Sequence, residues 1–219
     1  MNNHEISQLV SELPTVAIVA NGEFVTNPIL INKLKSSAYI ACCDGAINNL
    51  IKHNITPNVV IGDCDSISNS IISQYNVIKI EEQNSNDLSK AIYYLKSHNV
   101  QQIVIYSASG LREDHSIANL AIFYQAAKEF SHIYMLSNYG VFSVCHTGNN
   151  IIKTIPKQQI SFFTLEQNIS LSCQELKWPL NNMHFEYLNL GTLNQATKEY
   201  INLKSTGRVI VYRAFETKN

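Results

Sequence analysis

Four aspartates, Asp44, Asp63, Asp65 and Asp87, stand just beyond short apolar runs in a chain of 219 residues. Carboxylates are hard oxygen ligands, and several held together repel one another unless a proton or a cation lies between them. Asp63 and Asp65 are two residues apart. In an extended segment such residues point the same way, so the two carboxylates are expected side by side. Gly62 keeps that turn free of a crowding side chain. Gathered at one edge, the four acids suit one or two Mg²⁺ ions of the kind that handle a nucleotide's phosphates. Arg112, in the glycine-containing run Ser107-Ala108-Ser109-Gly110-Leu111-Arg112, offers forked donors for a phosphate. His115, with Arg112 and Asp114 as neighbours, reads as a nucleotide contact. Each acid also has a plainer reading. Asp44, Asp65 and Asp87 could all cap or charge helix starts. Their common position at strand ends favours a site. Cys64 lies between two acids that raise its pKa, which excludes it as a nucleophile. His53, His98 and His132 carry no signal.

The elements that must position these residues follow from periodicity. Near-continuous apolar runs predict strands over Val16–Ala20, Ala38–Cys42, Val59–Ile61, Val77–Ile80, Gln102–Tyr106 and Ile133–Leu136. Between them, Leu88, Ala91, Ile92 and Leu95 follow helical spacing, as do Ile117, Leu120, Ala121 and Tyr124. Shorter helices are expected near Pro28, over Ala46–His53 and over Ser66–Gln74. Alternating strands and helices give an α/β domain with a mostly parallel, Rossmann-like sheet, expected over residues 1–138. In such a sheet the C-terminal strand ends share one edge, where ligands bind. Asn21-Gly22, Asp44-Gly45, Gly62–Ser66, Asn84–Asp87 and Ser107–His115 all fall there. After about residue 139 helical periodicity stops. Strand-like pieces at Val141–Cys145, Ile151–Thr154, Ile160–Thr164, Ile169–Cys173 and Val209–Arg213 predict a small all-β sandwich over 139–219.

Composition removes other classes. Sixteen Lys and Arg against 17 Asp and Glu leave a formal charge of −1, which disfavours a nucleic-acid binder. No apolar run reaches the roughly 20 residues that span a bilayer, and the first residues lack a signal-peptide pattern, so a cytoplasmic protein without a membrane partner is expected. Five cysteines, an odd number with no CxxC pair, argue against a disulfide framework or structural zinc.

The blocks Asn21-Gly22, Asp44-Gly45-Ala46-Ile47-Asn48, Gly62-Asp63-Cys64-Asp65-Ser66, Asn86-Asp87 and Gly110-Leu111-Arg112-Glu113-Asp114-His115-Ser116-Ile117-Ala118-Asn119 resemble, in order and spacing, those of the thiamine pyrophosphokinase (thiamine diphosphokinase) family. Leu176-Lys177-Trp178-Pro179-Leu180 and Gly191-Thr192-Leu193-Asn194-Gln195 extend the resemblance through the second domain. The sequence departs from the family pattern at Ala46, at Gln83 and Asn84, and at Asn86, Leu111, Leu193 and Gln195. The resemblance implies transfer of pyrophosphate from ATP to thiamine, giving thiamine diphosphate and AMP. It implies Asp44, Asp63, Asp65 and Asp87 as catalytic residues, with Mg²⁺ on Asp63, Asp65 and Asp87. ATP would lie on Asn21, Gly22, Gly110, Arg112, Asp114 and His115, and thiamine on Trp178, Asn194 and Gln195. It also implies a homodimer with thiamine at the subunit interface. Two other readings stay open. One is a phosphohydrolase using Asp63 and Asp65 as nucleophile and acid, although it also needs a separate lysine and further acids at a strand end, which cannot be placed after residue 115. The other is a non-catalytic nucleotide or thiamine sensor.

Overall fold

The computed structural model describes residues 2–65, 67–82 and 84–217. Their contacts divide into two compact units, one of Leu13–Asn138 and one of residues 2–12 with 139–217. The opening helix, α1 (Asn3–Val10), lies outside the helices expected from the sequence. Its signal is local: Asn2 accepts from the Glu5 N–H while the Glu5 side chain reaches back to the Asn2 backbone, a capping box. Ile6, Leu9 and Val10 are buried, and Glu12 just beyond pairs with Lys153 at 2.5 Å. This stretch therefore packs with the second unit, whereas the sequence places it in the first domain.

The Leu13–Asn138 unit holds six strands: β1 (Val16–Val19), β2 (Tyr39–Cys43), β3 (Val59–Gly62), β4 (Val77–Lys79), β5 (Gln102–Tyr106) and β6 (His132–Leu136). They run parallel in the order β6-β5-β1-β2-β3-β4. Helices α2 (Pro28–Lys35), α3 (Ile47–Lys52), α4 (Asn69–Gln74), α5 (Asp87–Ser97) and α6 (Glu113–Ala126) connect them. Every residue of β3 is buried, and β2 and β5 are buried beyond their first residue, which explains their unbroken apolar character. Leu88, Ala91 and Leu95 of α5 are buried as the spacing predicts. On α6 the spacing holds only in part: Tyr124 is buried and Leu120 and Ala121 are half-buried, but Ile117 is not. Ile117 is 72% exposed, and the buried residues are Asn119, Phe123, Tyr124 and Ala126. Beyond its polar first turn, apolar residues fall on several faces of this helix, so periodicity does not single out one of them. The helix expected over Ser66–Gln74 is found over Asn69–Gln74; Ser66 and Gln83 lie outside the described residues.

The second unit is two antiparallel sheets over one core, sandwich-like. Its strands are β7 (Gly140–Cys145), β8 (Gly148–Lys153), β9 (Gln158–Phe163), β10 (Ile169–Cys173), β11 (Leu180–Phe185), β12 (Asn194–Gln195), β13 (Tyr200–Ser205) and β14 (Val209–Thr217). One sheet orders them β12-β9-β14-β7 and the other β11-β10-β13-β8. Phe162, Leu171, Phe185, Ile201, Leu203 and Val211 meet in the shared core. Strands β11, β12 and β13 lie outside the strands expected from the sequence. In β13 only Ile201, Leu203 and Ser205 are buried, between exposed Tyr200, Asn202 and Lys204. That strict alternation is a half-buried strand of low mean hydropathy. Among the described residues no helix is long and apolar enough to cross a membrane.

Candidate active site

Strand order sets the place of the site. In the parallel sheet β1 has β2 on one side and β5 on the other. The chain's direction of winding reverses there, which is where open parallel sheets bind ligands. A cleft of about 400 Å³ lies at that point. It is lined by Ala20, Asn21 and Gly22 after β1, Cys43 at the end of β2, and Asn86, Asp87 and Leu88 at the start of α5. Ala108, Gly110, Leu111 and Arg112 line it after β5, with His115 and Asn119 from α6. Of the six residues expected at ATP, Asn21, Gly22, Gly110, Arg112 and His115 line this cleft; Asp114 does not. Asp114 instead takes a forked pair of bonds from Arg112, Nε to Oδ1 at 3.1 Å and an Nη to Oδ2 at 2.5 Å. Both are exposed, and the guanidinium holds the Asp114 carboxyl below its ordinary pKa.

Close backbone approach shapes the cleft. The Gly22 N–H donates to the Ser107 carbonyl at 2.7 Å, and the Glu23 N–H to the Ser109 carbonyl at 2.8 Å. A Cβ on Gly22 would stand 2.5 Å from both carbonyl oxygens, so only glycine fits. The β5–α6 loop turns through three left-handed residues, Ser107 (φ 57°), Gly110 (φ 77°) and Leu111 (φ 65°).

The acids are arranged differently from the expectation. Asp44 begins a short 3₁₀ turn, Asp44–Ala46, and is 1% exposed. Its carboxylate accepts from the Gly45 N–H at 2.5 Å and from the Cys64 N–H at 2.9 Å. Gly62 makes room for it: a Cβ there would lie 2.4 Å from the Asp44 Cγ. Asp87 is the first residue of α5, but the capping is done by Asn86, whose side chain accepts from the Ser89 N–H. Asp87 is thus free of the capping duty and faces Asp44. Burial, and then Asp87, push the Asp44 carboxyl up to about 6, against the pull of its two backbone donors. Lys90, with a side chain 4% exposed, pairs with Asp87 at 3.3 Å.

Asp63 and Asp65 do not lie on an extended segment. Cys64 between them adopts φ 70°, which breaks the extended alternation. Asp63 Oδ1 instead accepts from the Asp65 N–H at 3.2 Å, a local turn. Asp65 is exposed. The expected trio Asp63, Asp65 and Asp87 is therefore not a cluster. Among the described residues no group of three or more His, Cys, Asp or Glu could hold a metal ion. The close acidic pair is Asp44 with Asp87. Burial, and then the field of Asp44, raises the Cys64 thiol, as its acidic neighbourhood suggested.

The Asp44 shift predicts a pH effect. Its ordinary value is 3.8, so between about 4 and about 6 the folded protein holds a proton that the unfolded chain has released. In metal-free buffer, stability is expected to fall as pH rises through that window. Urea unfolding at a series of pH values checks this, and Asp87→Asn is expected to shrink the fall.

In the second unit the structure brings Trp178, Asn194 and Gln195 together. Asn194 Oδ1 accepts from the Trp178 N–H at 3.3 Å, and its Nδ2 donates to the Trp178 carbonyl at 2.8 Å. Gln195 donates through Nε2 to the Lys157 carbonyl at 3.1 Å. Trp178 is 56% exposed, with Lys177 Nζ 5.0 Å from its ring centre, so it is not a core tryptophan. Asn86 and Asn119, which also line the cleft, were visible in the sequence only as members of motifs. Their signal is burial and a paired amide, which a sequence does not display.

Residues 30–135 match the family model for the thiamin pyrophosphokinase catalytic domain, and residues 140–212 the model for its substrate-binding domain. A thiamine pyrophosphokinase of Bacillus subtilis (strain 168) is 27% identical over 127 residues, 57% of this chain and 58% of that protein. The matched stretch thus spans less than two thirds of that relative. The fold is similar to the crystal structure of a Bacillus subtilis thiamine pyrophosphokinase, at 23% identity and a TM-score of 0.78, covering 91% of this chain and 98% of that one. It is also similar to the thiamin pyrophosphokinase of Candida albicans, at 16% identity and a TM-score of 0.82, covering 95% and 91%. Matched in both of its units by the two domain models of one family, the chain belongs to the thiamin pyrophosphokinase family.

Proposed function

We propose that this chain is a thiamine diphosphokinase, moving the pyrophosphoryl group of ATP to the hydroxyethyl oxygen of thiamine and releasing AMP. The observation that carries the reading is the cleft at the β1/β5 reversal, walled by a glycine-containing loop on one side and by Asp87 on the other. The thiamine oxygen would attack the β-phosphorus, and the bond from that phosphorus to the α-phosphate oxygen would break. The protein's work is then positioning and control of charge. Asn21, Gly22, Gly110, Arg112 and His115 would hold ATP, with Asp114 fixing the Arg112 guanidinium. Asp44, buried beside Asp87, would complete the metal shell or orient the attacking hydroxyl and take its proton.

Two carboxylates within hydrogen-bonding reach, one buried, need a proton or a cation between them, and their oxygens fit a hard divalent ion. Asp44 and Asp87 would hold Mg²⁺, with Asp63 and Asp65 on the adjoining turn. When bound, Mg²⁺ supplies neutralisation of the phosphate charge. We assign thiamine to Trp178, Asn194 and Gln195, the working form to a homodimer with thiamine at the subunit interface, and the compartment to the cytoplasm, which suits five free thiols.

Asn194→Ala removes both bonds that fix the Trp178 backbone, at ~1 kcal/mol each. The KM for thiamine is expected to rise about tenfold, with the KM for ATP unchanged. Steady-state kinetics in each substrate checks this. The function itself is tested by product analysis. AMP formed only when thiamine is present supports it. Release of free phosphate would replace it with a hydrolase, and binding of ATP without turnover with a sensor.

A further inference from the structure

Asn119 is out of place by composition. It sits inside α6 on the buried side of the helix, with Phe123 and Ala126, and is 8% exposed. Asparagine is a poor helix-interior residue, and a buried amide is costly unless both halves are bonded. Here both are. Its Nδ2 donates to the Ala108 carbonyl at 2.8 Å, and its Oδ1 accepts from Asn86 Nδ2 at 3.0 Å. Asn86 Oδ1 in turn accepts from the Ser89 N–H at 3.0 Å and the Ser89 hydroxyl at 3.1 Å. A chain of amides therefore joins three segments of the cleft wall: the loop after β5, α6, and the start of α5 that carries Asp87. The loop needs such a tie, because Ser107 and Leu111 hold left-handed backbones that persist only where the surroundings enforce them.

We propose that Asn119, acting with Asn86, is a positioning residue that fixes the separation between Asp87 and the Gly110–Arg112 loop. The inference rests on the kinase reading of the cleft. A merely structural asparagine would affect stability alone. This one sets how the two walls meet the phosphates, so its loss should divide between the kinetic constants. Asn119→Ala frees the loop and is expected to raise the KM for ATP about tenfold and lower kcat by a similar factor. Asn86→Ala, which moves the start of α5, should act mainly on kcat. The Asn86→Ala/Asn119→Ala double variant should lose clearly less than the product of the two single losses, because both changes break the shared Asn86–Asn119 bond. Asn86→Thr should stay within about threefold of the parent, since a hydroxyl can both cap α5 and donate to Asn119.

The test is steady-state AMP formation for all four variants. It is joined by amide hydrogen exchange over residues 108–112 and by titration with a fluorescent ATP analogue. Faster exchange at 108–112 in Asn119→Ala, with the non-additive kinetics, supports the proposal. Unchanged exchange, activity within threefold of the parent, or losses that multiply in the double variant would overturn it. If Asn119→Ala does not fold, Asn86→Ala carries the same comparison from the less buried end. A parent protein that forms no AMP would sink the kinase reading, while exchange and nucleotide titration would still decide the amide chain.

Discussion

Replacing Asp87 with asparagine is expected to lower AMP formation by about two to three orders of magnitude while leaving a folded protein. The effect is one of charge. Asn86, not Asp87, caps α5, so the helix start survives the change. What disappears is the negative charge that faces Asp44 in the cleft wall. Two effects on stability oppose each other. Lys90 loses its ion-pair partner at 3.3 Å, although the new amide oxygen still accepts from it. Asp44 loses a like-charged neighbour that helps raise its pKa. The melting temperature should therefore move little compared with the activity. Steady-state kinetics beside a thermal melt checks this, and a variant with near-parent turnover would remove Asp87 from the mechanism.

Gly62→Ala should damage both properties. The added methyl would stand 2.4 Å from Asp44 Cγ and 2.5 Å from Oδ2. Asp44 cannot step aside cheaply, because it is 1% exposed and holds the N–H groups of Gly45 and Cys64. Overpacking of this kind costs ~1–3 kcal/mol. Moving the carboxylate should also cost about a hundredfold in turnover, since small misplacements in a site have that effect. Denaturant unfolding and kinetics on the same sample measure the two losses. Glycine at this position is thus a spacing device for Asp44 and not only a flexible turn residue.

Much of the first unit was legible because its chemistry is local. Fully buried parallel strands read as unbroken apolar runs, and the polar residues that follow them fall at one sheet edge by topology. That logic places Asn21, Gly22, Asp87, Gly110, Arg112 and His115 at a common cleft. It fails for Asp63 and Asp65, because a left-handed Cys64 cannot be foreseen from the residue type; asparagine or glycine is the usual occupant of such a position. It also gives the face of α6 only in part, because apolar residues fall on several sides of that helix beyond its first turn. In the second unit, the alternation of β13 was present in Ile201, Leu203 and Ser205 but hidden by its polar partners. The role of Asn194 as a clamp on Trp178 depends on long-range pairing and leaves no periodic trace.

On the proposed reading, the crevice at the β1/β5 reversal takes a triphosphate with a divalent cation against Asp44 and Asp87. Crystals grown with Mn²⁺ and α,β-methylene ATP, whose scissile bridge resists cleavage, test it through anomalous scattering. The account predicts an anomalous peak at the Asp44 and Asp87 carboxylates, with the phosphate chain along Gly22, Gly110 and Arg112. A nucleotide bound elsewhere, or a manganese peak away from both aspartates, would contradict it.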